Sequence, residues 1–180
     1  MLFSDALPIR YGTVKLHPQQ AVQLATEHLL ANGFKPTNYN LDAALHAQGF
    51  SPAGWTGQIV TKGSGFRGFL VDAVPVATLA TLLPGTKNLH ATVMVSVLAR
   101  VTDQGETELY YSYLEQDISD NSMQTRKNII KIFEAFPQAL AERGIALTSW
   151  QSLRARDLPL EHPLNLNTWG KLFKAARRAK

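Results

Sequence analysis

Apolar positions along this chain follow two different periods, and the change from one to the other separates predicted helices from predicted strands. In residues 18–32, Val22, Ala25 and Leu29 form the stripe that is typical of an amphipathic helix. A shorter helix is predicted over residues 41–47. Beyond residue 54 the period shortens to two, which indicates strands.

The clearest predicted strand covers residues 90–101, and residues 107–114 follow it after a turn, so the two form an antiparallel hairpin. Two further strands are predicted over residues 55–62 and 66–74, on either side of a glycine-rich turn. In the strand predicted over residues 90–101, one face is entirely apolar and is expected to be buried. This face carries Val93, Val95, Val97, Ala99 and Val101.

The second half of the chain is predicted to be mainly helical. Residues 122–136 form a long helix whose stripe includes Ile129 and Phe133. Pro137 is expected to kink the helix or to make it restart, because proline removes a backbone hydrogen bond. Residues 145–166 are expected to be mostly irregular.

These elements predict a two-layer α+β fold, in which an antiparallel sheet of about four or five strands is covered on one face, with the long helix packed there. Residues 1–180 are expected to form a single domain, since 180 residues suffice for one buried core. Residues 164–180 are interpreted as a basic amphipathic C-terminal helix that extends from this domain.

The positive charge is concentrated at the C-terminal end. Residues 151–180 hold seven Lys or Arg against two acids, a balance of +5, whereas residues 1–150 hold eleven basic and twelve acidic residues, a balance of −1. The formal net charge of +4 is therefore a property of the C-terminal segment. The near-neutral body argues against a protein that binds duplex DNA, because such proteins spread positive charge across a whole face.

Known catalytic and cofactor motifs do not fit this sequence. The chain has no cysteine, which excludes disulfides and thiolate chemistry. The five histidines have no metal-ligand spacing and are assigned to helix caps or to the surface, so no metal site and no cofactor are predicted. Gly63, Gly65 and Gly68 match a dinucleotide-binding spacing, but neither a buried strand nor a helix flanks them, so a hairpin turn explains them better. Without an apolar run of membrane-spanning length or a signal peptide, the protein is expected to be cytoplasmic.

The last helix, capped by Asn167 or Thr168, has one apolar and one basic side. The apolar side carries residues at positions i, i+3, i+4 and i+7, namely Trp169, Leu172, Phe173 and Ala176. The basic residues are Lys171, Lys174, Arg177, Arg178 and Lys180. Three interpretations compete: a helix docked on the domain whose cations complement its dipole, a nucleic-acid contact, or attachment to an anionic membrane surface.

Three functional hypotheses follow. The leading one is a non-catalytic binding or accessory module whose basic C-terminal helix contacts an anionic partner, either nucleic acid or membrane headgroups. The second is a protein that binds a small apolar ligand between sheet and long helix, in a pocket lined by Phe66, Phe69, Tyr111, Phe133 and Phe136. The third is an enzyme of unknown class whose acid and base are brought together by the fold, for instance His90 with Glu115 or Asp117. The sequence assigns no oligomeric state.

Overall fold

The computed structural model describes residues 9–50, 53–62, 93–114 and 122–179. Their strands form one open antiparallel sheet. In chain order the strands are β1 (Ile9–Val14), β2 (Lys35–Pro36), β3 (Thr56–Lys62), β4 (Val93–Val101), β5 (Thr107–Leu114) and β6 (Leu147–Leu153). In space their order is β2-β3-β4-β5-β1-β6. Four α-helices pack against the sheet, namely α1 (Pro18–Ala31), α2 (Leu41–Ala47), α3 (Ser122–Ala141) and α4 (Leu166–Arg178).

Several predicted elements are confirmed. The helices predicted from residues 18 and 41 are α1 and α2, and the predicted hairpin is formed by β4 and β5, which pair from Met94 with Leu114 to Val101 with Thr107. Strand β3 matches the predicted strand over residues 55–62 and pairs with β4. The strand predicted over residues 66–74 lies outside the described residues.

The prediction that helices cover only one face of the sheet is wrong. Helices α1 and α3 pack on one face, and this first core includes Leu29, Val95 and Phe133. Helices α2 and α4 pack on the opposite face, and this second core includes Leu45 and Leu98. The reason is visible in β4, where both sets of alternating residues from Val93 to Ala99 are buried. A strand buried on both faces has a continuous apolar run instead of an alternating pattern.

The sheet also has more strands than predicted. Strand β1 was not expected, and β6 replaces part of the segment predicted to be irregular. Both strands depart from regular alternation. Their pairing contains a register shift between Tyr11 and Thr13, and Ser149 in β6 has a positive φ of 60°. A register shift of this kind moves side chains off the period of two that identifies a strand in a sequence.

Helix α3 does not restart at Pro137 but continues to Ala141. A proline inside a helix leaves the carbonyl four residues earlier without its donor. Here that carbonyl belongs to Phe133, and it accepts a hydrogen bond from the indole Nε1 of Trp150 at 3.2 Å. The neighbouring carbonyl of Ile132 accepts one from Nε2 of His28 at 2.9 Å. Side chains from β6 and α1 thus replace or reinforce backbone bonding around the proline.

Candidate functional site

Helix α4 begins earlier than predicted, because Asn165 is its cap instead of Asn167 or Thr168. The Asn165 side chain accepts a hydrogen bond from the backbone N–H of Asn167 at 3.0 Å and donates one to the carbonyl of Leu158 at 2.7 Å. The Thr168 hydroxyl donates to the carbonyl of Leu160 at 2.8 Å. These bonds join the start of α4 to the preceding loop and fix its position.

The apolar side of α4 packs into the second core. Leu172 and Ala176 are fully buried, while Trp169 and Phe173 are partly buried against the same cluster. The backbone N–H of Asn40, the cap of α2, donates a hydrogen bond to the carbonyl of Ala176 at 3.2 Å. The helix is therefore an integral part of the folded domain, and its cations must lie on the sides that remain in solvent.

Four of the five predicted anion-binding residues lie on the solvent side of α4. Lys171, Lys174, Arg177 and Arg178 are exposed, whereas Lys180 lies outside the described residues. None of the four forms an ion pair or a side-chain hydrogen bond with any residue that the structure describes. We call these four residues the cationic face.

The geometry of the cationic face follows from the helical period. Lys171, Lys174 and Arg178 occupy positions i, i+3 and i+7, so their side chains leave the helix along one stripe. At 1.5 Å per residue the stripe is about 10 Å long. No Asp or Glu occurs in α4, so no carboxylate of the helix itself offsets these charges. The arrangement can hold several anionic groups spaced along a line.

The residues predicted to line an apolar pocket are only partly within the described segments. Tyr111, Phe133 and Phe136 are buried in the first core, where the Tyr111 ring centroid lies 4.9 Å from Phe133 and 5.0 Å from Phe136. The Tyr111 hydroxyl donates a hydrogen bond to the carbonyl of Ala25 at 3.0 Å. Phe66 and Phe69 lie outside the described residues, so the pocket stays a prediction.

The residues proposed for acid–base catalysis, His90, Glu115 and Asp117, also lie outside the described residues. Within the described segments, no group of three or more His, Cys, Asp or Glu residues could hold a metal ion. Nor does any helix there combine the length and the apolar composition that are required to cross a bilayer.

His162 is buried, contrary to the cap or surface role that the sequence suggested. Its ring lies between those of Trp55 and Tyr110, with centroids 4.8 Å from each. Nδ1 accepts a hydrogen bond from the backbone N–H of Leu164 at 3.0 Å, so the neutral ring carries its proton on Nε2. Burial, and to a lesser extent the positive charge of Arg100, lowers the pKa of His162 to about 4. Nε2 has no hydrogen-bond partner among the described residues.

A polar cleft at the β3 edge of the sheet was missed by the sequence analysis. Strand β2 pairs only with Val60 and Thr61, so residues 56–58 have no described strand beside them on that edge. The cleft opens there between α1 and the start of α2, has a volume of about 660 Å³ and reaches Ala179 at the end of α4. The spacing of Gln19 and Gln23, one helical turn apart, is a local signal that predicts a shared polar surface on α1.

In comparisons with known proteins, no family model, no curated protein and no solved structure matches this chain, so the functional proposal rests on the geometry of these residues.

Proposed function

We propose that this protein is a non-catalytic binding module that holds phosphate groups of a nucleic acid on the cationic face of α4. One observation carries the proposal: the four cations are exposed and form no ion pair with a described residue. A cation without an internal partner remains available to neutralise a phosphate, and each neutralised phosphate releases a condensed counterion.

A membrane surface is the alternative anionic partner. A helix that binds a bilayer interface buries its apolar side at the boundary of headgroups and acyl chains. In α4 that side is already occupied, since Leu172 and Ala176 are fully buried and Phe173 packs edge-on against Tyr39 with centroids 5.6 Å apart. Insertion would require α4 to leave the second core. We therefore favour a phosphate-bearing polymer, which needs only the charged side.

The test is the affinity for a fluorescein-labelled single-stranded oligonucleotide, measured by fluorescence anisotropy at several salt concentrations. For three or four phosphate contacts, log K should fall with log salt with a slope of about −2 to −3. The triple variant Lys171→Glu, Lys174→Glu, Arg178→Glu should bind at least about tenfold more weakly, because it replaces attraction with repulsion along the stripe. Circular dichroism checks that the variant is folded.

In a matched control, the charges of three exposed lysines elsewhere are reversed by substitution with Glu. These are Lys15, Lys127 and Lys131. This variant has the same net charge as the α4 variant, so it measures the effect of net charge alone. The proposal requires the α4 variant to lose clearly more affinity than the control. An equal loss in both would refute a localised site. Co-sedimentation with anionic vesicles, without any binding of oligonucleotides, would assign the face to membranes instead.

A further inference from the structure

The polar cleft meets the C-terminal end of α4, where the cationic face ends. Ala179, which lines the cleft, follows immediately after Arg178, the last residue of the stripe. Tyr39 also lines the cleft and is half-buried, and its ring contacts Phe173 on the apolar side of α4, so the cleft and the stripe meet at the end of the helix. A polymer that follows the stripe toward the C-terminal end of α4 therefore reaches the mouth of the cleft.

The lining of the cleft has hydrogen-bonding capacity that the fold does not use. Five amide side chains line it: Gln19, Gln23, Asn38, Asn40 and Gln58. The side chains of Gln19 and Asn38 and the hydroxyl of Tyr39 form no hydrogen bond with any described residue. An amide offers a donor and an acceptor side by side, which is the pattern that matches the edge of a nucleobase.

The charges of the cleft are opposite to those of the stripe. Glu27 and Asp42 line the cleft, and neither Lys nor Arg does. Hydrogen bonds from Arg143 and Gln23 lower the pKa of Glu27, and the ion pair with Arg143 at 3.0 Å offsets the charge of this carboxylate. Asp42 accepts hydrogen bonds from the Thr56 hydroxyl and the Gly57 N–H, which hold it in place. The charge of Asp42 thus disfavours phosphates in the cleft, whereas the cations of α4 attract them.

We propose that the cleft binds an unpaired base of a single-stranded nucleic acid whose phosphates lie on the cationic face. This inference rests on the proposed function and adds the ligand class. The amides bond to the edge of the base, and the Tyr39 ring offers an apolar surface for its face. A single strand is required because the bases of a duplex are already paired and stacked. The volume of about 660 Å³ lies within the range of small-molecule sites.

The experiment compares two fluorescein-labelled strands of six nucleotides, one with bases and one abasic, by fluorescence anisotropy with the full chain. Both present the same phosphates to α4, and only the first presents bases to the cleft. We expect the abasic strand to bind about tenfold more weakly, which is the effect of losing one well-placed base contact. Equal affinities would overturn the cleft assignment while leaving the proposed function intact.

Amide substitutions test whether the base binds in the cleft. Gln19→Ala with Asn38→Ala should weaken binding of the base-bearing strand about fivefold and leave the abasic strand unchanged, because these amides contact only the base. The control is Gln20→Ala with Gln48→Ala, which changes two exposed amides outside the cleft. If the cleft and control variants bind the base-bearing strand equally well, the base is not in this cleft. Failure of the wild-type protein to bind either strand would overturn both proposals.

Discussion

The lowered pKa of the buried His162 side chain makes the stability of the whole fold depend on pH. Its pKa is about 4 in the folded protein, against about 6.5 for an unperturbed histidine. As the pH falls from about 6.5 to about 4, the unfolded chain therefore binds a proton that the folded protein does not. The contribution of His162 to stability is complete above pH 6.5 and decreases toward pH 4, by about 3 kcal/mol in total.

His162→Asn tests this dependence. Asparagine has a side-chain oxygen that can accept the Leu164 N–H, but it does not titrate. We expect the free energy of unfolding in urea to fall by about 2–3 kcal/mol more in the wild type than in the variant between pH 7.5 and pH 4.5. The comparison is between the two pH-induced changes, so any constant cost of the substitution cancels. Equal changes would assign the acid sensitivity to other groups.

Among single residues, the sequence predicts the exposure of the cationic face, but it predicts neither the burial of His162 nor the residues that line the cleft. The exposure of Lys171 and Lys174 follows from the helical period and from the apolar residues opposite them. The burial of His162 follows from its contacts with Trp55 and Tyr110, which are distant in the sequence. The cleft likewise joins four separate segments, and no local pattern indicates that they meet.

Among the elements, α3 and β6 are joined through the side chain of Trp150, which both bonds to and packs against α3. The indole of Trp150 donates to the Phe133 carbonyl that Pro137 leaves without a backbone donor. The same indole ring packs on Phe136, with centroids 5.8 Å apart, and meets Tyr111 edge-on at 5.6 Å. Trp150 therefore both fills space in the first core and compensates for the proline.

Trp150→Phe should separate these two roles, because it keeps a packed ring and removes the donor. We expect a loss of about 1–2 kcal/mol in the free energy of unfolding from the unpaired carbonyl, in addition to any packing cost. In a Pro137→Ala background the backbone N–H of residue 137 can donate to Phe133, so the same substitution should cost less. A double-mutant cycle measured in urea gives the coupling. Additive effects would show that the hydrogen bond contributes nothing.

The elements that the sequence identified are those in which the apolar pattern is not interrupted. Helix α1 has a regular stripe, and β4 has a long run of apolar residues. Strand β1 contains Gly12, which weakens a strand pattern, yet a Cβ at this position would lie 2.9 Å from Cε3 of Trp150. The close contact with Trp150 requires glycine at this position, and the glycine makes β1 hard to predict from the sequence. Its partner β6 is obscured by the turn of the backbone at Ser149.

For the whole molecule, α4 has one side that packs into the second core and an opposite side that is proposed to bind phosphate groups. Residues 164–180 were predicted to be an extension of the domain, and Leu172 and Ala176 of this helix lie in the second core. Deleting the helix would remove the cationic face and uncover the core in one step, so a loss of binding would have two explanations. Point substitutions on opposite sides of the helix can distinguish them.

Leu172→Ala should destabilise the protein by about 2–5 kcal/mol, because it leaves a cavity at a fully buried position. The same variant should retain the wild-type affinity for oligonucleotides under conditions where it is folded, since the cations are unchanged. The triple charge reversal at Lys171, Lys174 and Arg178 should have the opposite effect. It should lose affinity for oligonucleotides, and each exposed substitution should change the free energy of unfolding by no more than about 0.5 kcal/mol. Urea unfolding and anisotropy measure the two properties. If charge reversal unfolds the protein, the cations stabilise the fold, and their exposure no longer supports a binding role.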